Sequence, residues 1–247
     1  MLKGLLLMCL TGKAQLTAPE EFPLDTDTTS LGLTILRRDR AIAFPIMDEI
    51  LRDCVNADGF ILVSYHPSLP SQFTAVIKHI QTYFDRERPR VDAGICVNVL
   101  TLFYTYGRGS EVQPVLFWIR DILLHRAYLE GTKYFNTPEC FFFLITRLLA
   151  SSEDSKLHEM LDPLLEARVR ERIGTEGDAL ALAMRVLACD YVGIRNDVDL
   201  RKLLSLQCID GGWEIGWVYH YGSGISVGNR GLTTALAIKA IEGMSND

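Results

Sequence analysis

Apolar residues recur along this chain at helical spacing, in two kinds of run. Five runs open on a polar or acidic cluster and then stay apolar on nearly every side. They are residues 25–36 (DTDTTSLGLTIL), 92–106 (DAGICVNVLTLFYTY), 136–149 (NTPECFFFLITRLL), 176–192 (EGDALALAMRVLACDYV) and 229–241 (NRGLTTALAIKAI). Between them lie runs with one charged face, at residues 42–55, 112–127, 156–172 and 198–206. Helices that are apolar all round belong inside a protein, and amphipathic helices belong outside. The alternation therefore predicts an all-α fold of αα-hairpins that close into a ring. In such a ring the inner helices start at one end, and their polar first turns surround a single cavity mouth. The chain supplies about five hairpins rather than six, so an incomplete ring is the expectation.

Residues 60–80 break this rhythm. They contain Pro67 and Pro70, and their start (FILVSY) reads as extended chain, so the segment is expected to be an insertion or an atypical loop. No low-complexity linker divides the 247 residues, which predicts one domain large enough to bury a sizeable core. The net charge of −6 gives a nucleic-acid role no electrostatic support. The six cysteines are scattered, mostly in apolar runs and without a Cys-x-x-Cys pair. That pattern predicts reduced, buried thiols in a cytoplasmic protein. Met1 to Leu10 (MLKGLLLMCL) is read as a packed first helix rather than a signal peptide, because its apolar run is short. Nothing else approaches the ~20 apolar residues needed to span a bilayer.

Candidate chemistry is sharpest at Asp25-Thr26-Asp27-Thr28-Thr29. Asp and Thr at the start of an apolar helix serve as N-caps, which is one reading of the cluster. The other is an acid site. A carboxyl among apolar helices stays protonated because desolvation disfavours its charged form. A neighbouring carboxyl or hydroxyl orients it, and a helix N-terminus stabilises the carboxylate left after proton donation. Protonating an alkene needs that combination.

The cluster resembles the DxDTT variant of the DxDD motif of class II terpene cyclases, as found in drimane-type sesquiterpene cyclases of fungi and bacteria. A second segment, residues 203–213 (LLSLQCIDGGW), resembles the QW repeat of the squalene and terpene cyclase and prenyltransferase superfamily. Gln207, Gly211 and Trp213 have the Q-x3-G-x-W spacing, although Lys202 stands where an aromatic is usual. Residues 88–92 (RPRVD) and 228–234 (GNRGLTT) also look like segments of fungal proteins with the DxDTT motif. The resemblance implies an α/α toroid acting on a linear prenyl diphosphate such as farnesyl diphosphate. Asp27 is then the general acid, with Asp25 and Thr28 orienting and recharging it. Gln207 and Trp213 are scaffold residues. The drimane-type enzymes usually carry a second, haloacid-dehalogenase-like phosphatase domain. This sequence shows no such site, so a separate phosphatase domain or subunit is implied.

Aromatic rings for a carbocation are expected from Trp217, Tyr219 and Tyr221, three rings in one Gly-bounded loop. Arg230 beside Asn229 opens a helix, a natural anion site for the diphosphate. Arg88, Arg90 and Lys133 are further cationic candidates. Mg²⁺ is expected to accompany the diphosphate, and Glu176-Gly177-Asp178 offers carboxylates for it or for a simple cap. No zinc is expected, since Cys208-x-Asp210 with His220 reverses the order used by protein prenyltransferases. Two other functions stay open: a non-catalytic toroid that binds a hydrophobic ligand or a protein partner, and a zinc prenyltransferase subunit.

Overall fold

The computed structural model describes residues 24–62, 64–65, 91–132, 134–221 and 225–245. The architecture is all-α, of the toroid-like type. The strands among the described residues form two two-stranded antiparallel ribbons. The chain divides into two compact units, Met1–Leu116 and Phe117–Asp247.

In the first unit, strand β1 (Leu24–Asp25) leads into helix α1 (Thr26–Leu36), followed by α2 (Arg40–Asp53), β2 (Ser64–Tyr65) and α3 (Ala93–Thr105). A 3₁₀ turn (Gly109–Val112) then precedes α4 (Gln113–His125), inside which the division between units falls. Helix α3 is the apolar-all-round run, and every residue from Ala93 to Tyr104 is buried. Asp92 caps it by accepting from the Ile95 amide at 3.1 Å. Helix α2 buries only Ala43, Met47 and Ile50, a stripe at helical spacing. Arg108 ties α2 to the 3₁₀ turn through Asp48 and Glu111, both at 2.6 Å. The turn needs Gly109, because a Cβ there would lie 2.5 Å from the Tyr104 ring. The extended character expected at residues 60–65 is present: Ile61 bridges Val55, and β2 pairs with β1. The rest of that segment, Val63 and residues 66–80, lies outside the described residues.

The second unit is built on α7 (Ala179–Tyr191), buried from Ala179 to Cys189. Helices α5 (Pro138–Ala150) and α9 (Arg230–Ser245) lie against it, with α6 (Ser155–Arg172) and α8 (Asp197–Ser205) as the amphipathic partners. Leu157, Leu161, Leu165 and Val169 form the one buried stripe of α6. Fully burying such a side chain contributes roughly 1.5–3 kcal/mol. Strands β3 (Trp217–Tyr221) and β4 (Ile225–Gly228) form a hairpin where a loop is predicted. The alternating WVYHY pattern is short enough to be hidden by its flanking glycines.

A charge sits at the centre of this unit. Arg185 has no exposed surface. It donates to Asp199 Oδ2 at 2.9 Å, Glu139 Oε1 at 3.0 Å, the Thr175 carbonyl at 2.6 Å and the Thr175 hydroxyl. Asp199 also accepts from Asn196 at 2.7 Å and from the Gly174 amide, and Glu139 accepts from Arg172 at 2.9 Å. Four of the five cysteines among the described residues, Cys54, Cys96, Cys140 and Cys189, are buried and free. Burial pushes Cys54 and Cys96 up to about 12, and Cys140 and Cys189 up to about 11. These thiols are inert at neutral pH.

Two stability predictions follow from the packing of the second unit. Arg185→Leu leaves the buried Asp199 carboxylate without its cationic partner, while Glu139 keeps Arg172, and is expected to cost about 3–5 kcal/mol in denaturant unfolding; a loss below ~1 kcal/mol would show that the cluster is dispensable. The second concerns His158, whose two ring nitrogens face the Ser152 carbonyl at 2.7 Å and Asp162 at 2.9 Å. Two acceptors require a doubly protonated ring. The Ser152 carbonyl first, then the Asp162 carboxylate, raise its pKa above the ordinary histidine value. The stabilisation is therefore complete below ~6.5 and is lost as pH rises through the folded-state value. Unfolding free energy measured against pH should decline in that window for the wild type. The decline should be absent in His158→Gln.

Candidate active site

The acid cluster lies at the head of α1. Asp25 is the second residue of β1, in register with Ser64. Thr26 is buried and donates its hydroxyl to the Leu62 carbonyl at 2.7 Å, fixing the strand–helix junction. Asp27 follows in the first turn, half-buried, with Thr28 beside it. The amide Nδ2 of Asn98 donates to Asp27 Oδ1 at 2.7 Å. Asn98 is itself buried, in the second turn of α3. Further along, the Tyr106 hydroxyl donates to the Arg38 carbonyl at 2.6 Å. Both contacts advance in the same direction along the chain, so α1 and α3 run parallel and begin at the same end. Their shared start is what the pattern of polar first turns predicts for inner helices.

Asn98 escaped the reading of the sequence, and the signal for it was available. One amide stands inside GICVNVLTLF, and a buried amide must find partners. Its partner turns out to be the carboxyl that the DxDTT motif singles out.

The aromatic cluster lies in the second unit. Trp217 is 46% exposed, and its amide donates to Asp178 Oδ2 at 3.1 Å. Asp178 also caps α7 by accepting from the Ala181 amide at 2.8 Å. The hairpin therefore sits at the starting end of α7. Gly216 permits this, because a Cβ there would lie 2.2 Å from Leu180 Cβ. Tyr219 stacks on Tyr134 with centroids 5.3 Å apart and meets Phe135 edge-on at 5.8 Å. Both partners lie just before the cap of α5, Thr137. Tyr134 and Phe135 were not singled out in the sequence, although they stand in a short aromatic pair ahead of a cap. Tyr221 pairs through its backbone with Ile225. The starts of α5, α7 and α9 thus gather around one hairpin, with the Asp27 cluster in the other unit.

The proposed diphosphate anchors already have partners. Asn229 caps α9 by accepting from the Leu232 amide at 3.0 Å. Arg230 holds Asp210 through two bonds of 2.6 and 2.8 Å and donates to the Trp213 carbonyl at 3.0 Å. The Arg230 guanidinium keeps the Asp210 carboxyl below the usual carboxylate range. An anion at Arg230 would compete with that carboxylate. A cleft of about 560 Å³ lies alongside, with Asp210, Arg230, Thr234 and Ile238 in its wall. Arg88, Arg90 and Lys133 lie outside the described residues. Glu176 is fully exposed near Lys202, and Asp178 accepts a backbone amide on each oxygen. Cys208 faces Glu214 at 3.4 Å, and no cluster of three metal-binding side chains occurs among the described residues. Trp213 is buried and its indole N–H donates to the Leu203 carbonyl at the end of α8. Gln207 binds the Gly211 carbonyl at 2.9 Å. The end of α8 is therefore met by the tryptophan, while the glutamine bridges the turn that follows. No helix among the described residues is long and apolar enough to cross a membrane.

Comparison with known proteins adds an independent line. Residues 7–106 match the family model of the sesquiterpene cyclase astC-like C-terminal domain. Over 235 residues, 94% of this chain, the sequence is 41% identical to drimenol cyclase drtB of Aspergillus calidoustus. The match covers 40% of that relative, so the chain spans about two-fifths of its length. A solved structure of a protein from Actinoplanes has a TM-score of 0.63 at 17% identity, covering 98% of this chain and 82% of that one. This likeness is one of fold alone. In sequence, the chain is similar to sesquiterpene cyclases.

Proposed function

We propose that this chain is a class II terpene cyclase domain that protonates a linear prenyl diphosphate such as farnesyl diphosphate. The observation that carries the reading is the 2.7 Å bond from the buried Asn98 amide to Asp27 Oδ1. An N–H donor on Oδ1 holds the carboxyl in one orientation, and in this proposal the acidic proton is carried by the other oxygen, Oδ2. The start of α1 offsets the charge left behind. Asp25 and Thr28 orient and recharge the acid. The similarity to a drimenol cyclase supports the same chemistry.

The remaining parts follow from this step. The resulting cation needs rings rather than water, and Trp217, Tyr219 and Tyr221 are the proposed lining; a desolvated cation–ring contact contributes ~2 kcal/mol or more. Arg230 and Asn229 are the proposed diphosphate contacts, with Asp210 displaced, and Mg²⁺ arrives with the diphosphate. A separate phosphatase domain or subunit removes the diphosphate afterwards. The inert buried thiols suit a cytoplasmic setting.

Purified protein supplied with farnesyl diphosphate and Mg²⁺ should yield a cyclic product that retains its diphosphate, detected as an alcohol only after added phosphatase. Free cyclic alcohol without phosphatase would contradict this. Asp27→Asn should remove cyclisation beyond the ~10²–10⁴-fold typical of general acids, because an amide cannot protonate an alkene. Its unfolding midpoint should stay near wild type. Asn98→Ala should cost roughly tenfold in kcat, the value of one hydrogen bond to the acid. Full turnover by a folded Asp27→Asn protein would end the class II reading.

A further inference from the structure

The parallel packing of α1 on α3 places a second polar row behind the acid. Asp27 meets Asn98, and three residues further along each helix stand Ser30 and Thr101. Seven residues further stand Thr34 and Thr105. Residues three apart on a helix are surface neighbours, so Ser30 lies on the Asp27 side of α1, one turn inward. Ser30 has no exposed surface, and its hydroxyl meets no hydrogen-bond partner among the described residues. The Thr105 hydroxyl is likewise buried and unpartnered among them. Thr101 donates to the Val97 carbonyl at 2.8 Å, which leaves its oxygen able to accept.

Buried hydroxyls are satisfied by protein or by water, and a buried water takes two to four polar partners. Helical spacing sets Ser30 Oγ on the Asp27 side of α1 and Thr101 Oγ1 on the Asn98 side of α3, two helices that pack together. We propose that the α1–α3 seam holds a buried water on Ser30 Oγ, and that Ser30 acts through it as a positioning residue for Asp27. The water stands on the geometry of the seam alone; its catalytic meaning rests on the acid role of Asp27. The competing arrangement has the Ser30 hydroxyl turned back onto the Thr26 carbonyl of its own helix. In that arrangement Ser30 has no influence on Asp27.

The two arrangements differ in how Asp27 titrates. A water donating to the carboxylate favours its charged form, so losing it raises the titration midpoint. The test is a ¹³C NMR titration of the Asp27 side chain, assigned by its loss in Asp27→Asn. In Ser30→Ala the midpoint should rise by about one unit, the size of one charge-assisted hydrogen bond. An unchanged midpoint overturns the proposal. If Ser30→Ala fails to fold, the wild type decides: magnetisation transfer from a long-lived water to the Ser30 side chain supports the proposal, and its absence overturns it. The acid reading fails separately. A shifted midpoint alongside an active Asp27→Asn keeps the water and removes the acid. An unshifted midpoint alongside an inactive Asp27→Asn does the reverse.

Discussion

Arg185 carries a charge to a position with no exposed surface, and the second unit is arranged around that constraint. A lone buried guanidinium is untenable; it persists only when carboxylates and carbonyls converge on it. Glu139 comes from the first turn of α5, Thr175 from the connection into α7, and Asp199 from the first turn of α8. One side chain therefore sets the rotation of three helix starts about their axes. Apolar contacts, being non-directional, would bury the same faces in several rotations. A buried ion cluster of this kind contributes little net stability against a well-packed apolar replacement. Its contribution here is to narrow the arrangements in which every charge is met. The hairpin beside α7 inherits that order through Asp178.

The helices and their order were legible because burial and amphipathicity leave a period in the sequence. The caps were legible too: Asp92, Thr137, Asp178 and Asn229 all stand where polar first turns were read. What was not legible involves pairing across the chain. Asn98 meets a residue 71 positions away, and no local pattern ties the two. The β3–β4 hairpin was read as a loop because WVYHY is bounded by glycines and its partner strand, ISVG, is too short to show alternation. Arg185 reads as an ordinary charge inside ALAMRVLA until its three acceptors are brought together. Arg230 reads as an open anion site because the Asp210 that occupies it lies in another segment.

Asp27 of the DTDTT cluster differs in position from the caps of the other helices. Three capping carboxylates stand just outside their helices and accept from an amide three residues on: Asp92 from Ile95, Asp154 from Leu157, Asp178 from Ala181. Asp27 is already inside α1, which begins at Thr26. Two residues past the cap position, its side chain accepts from a residue of the helix packed on α1. That helix is α3, a helix buried throughout, offering a single amide from an otherwise apolar stretch. That contact, with a residue 71 positions away, is what distinguishes Asp27 from the caps, and it is the ground on which the acid role is proposed.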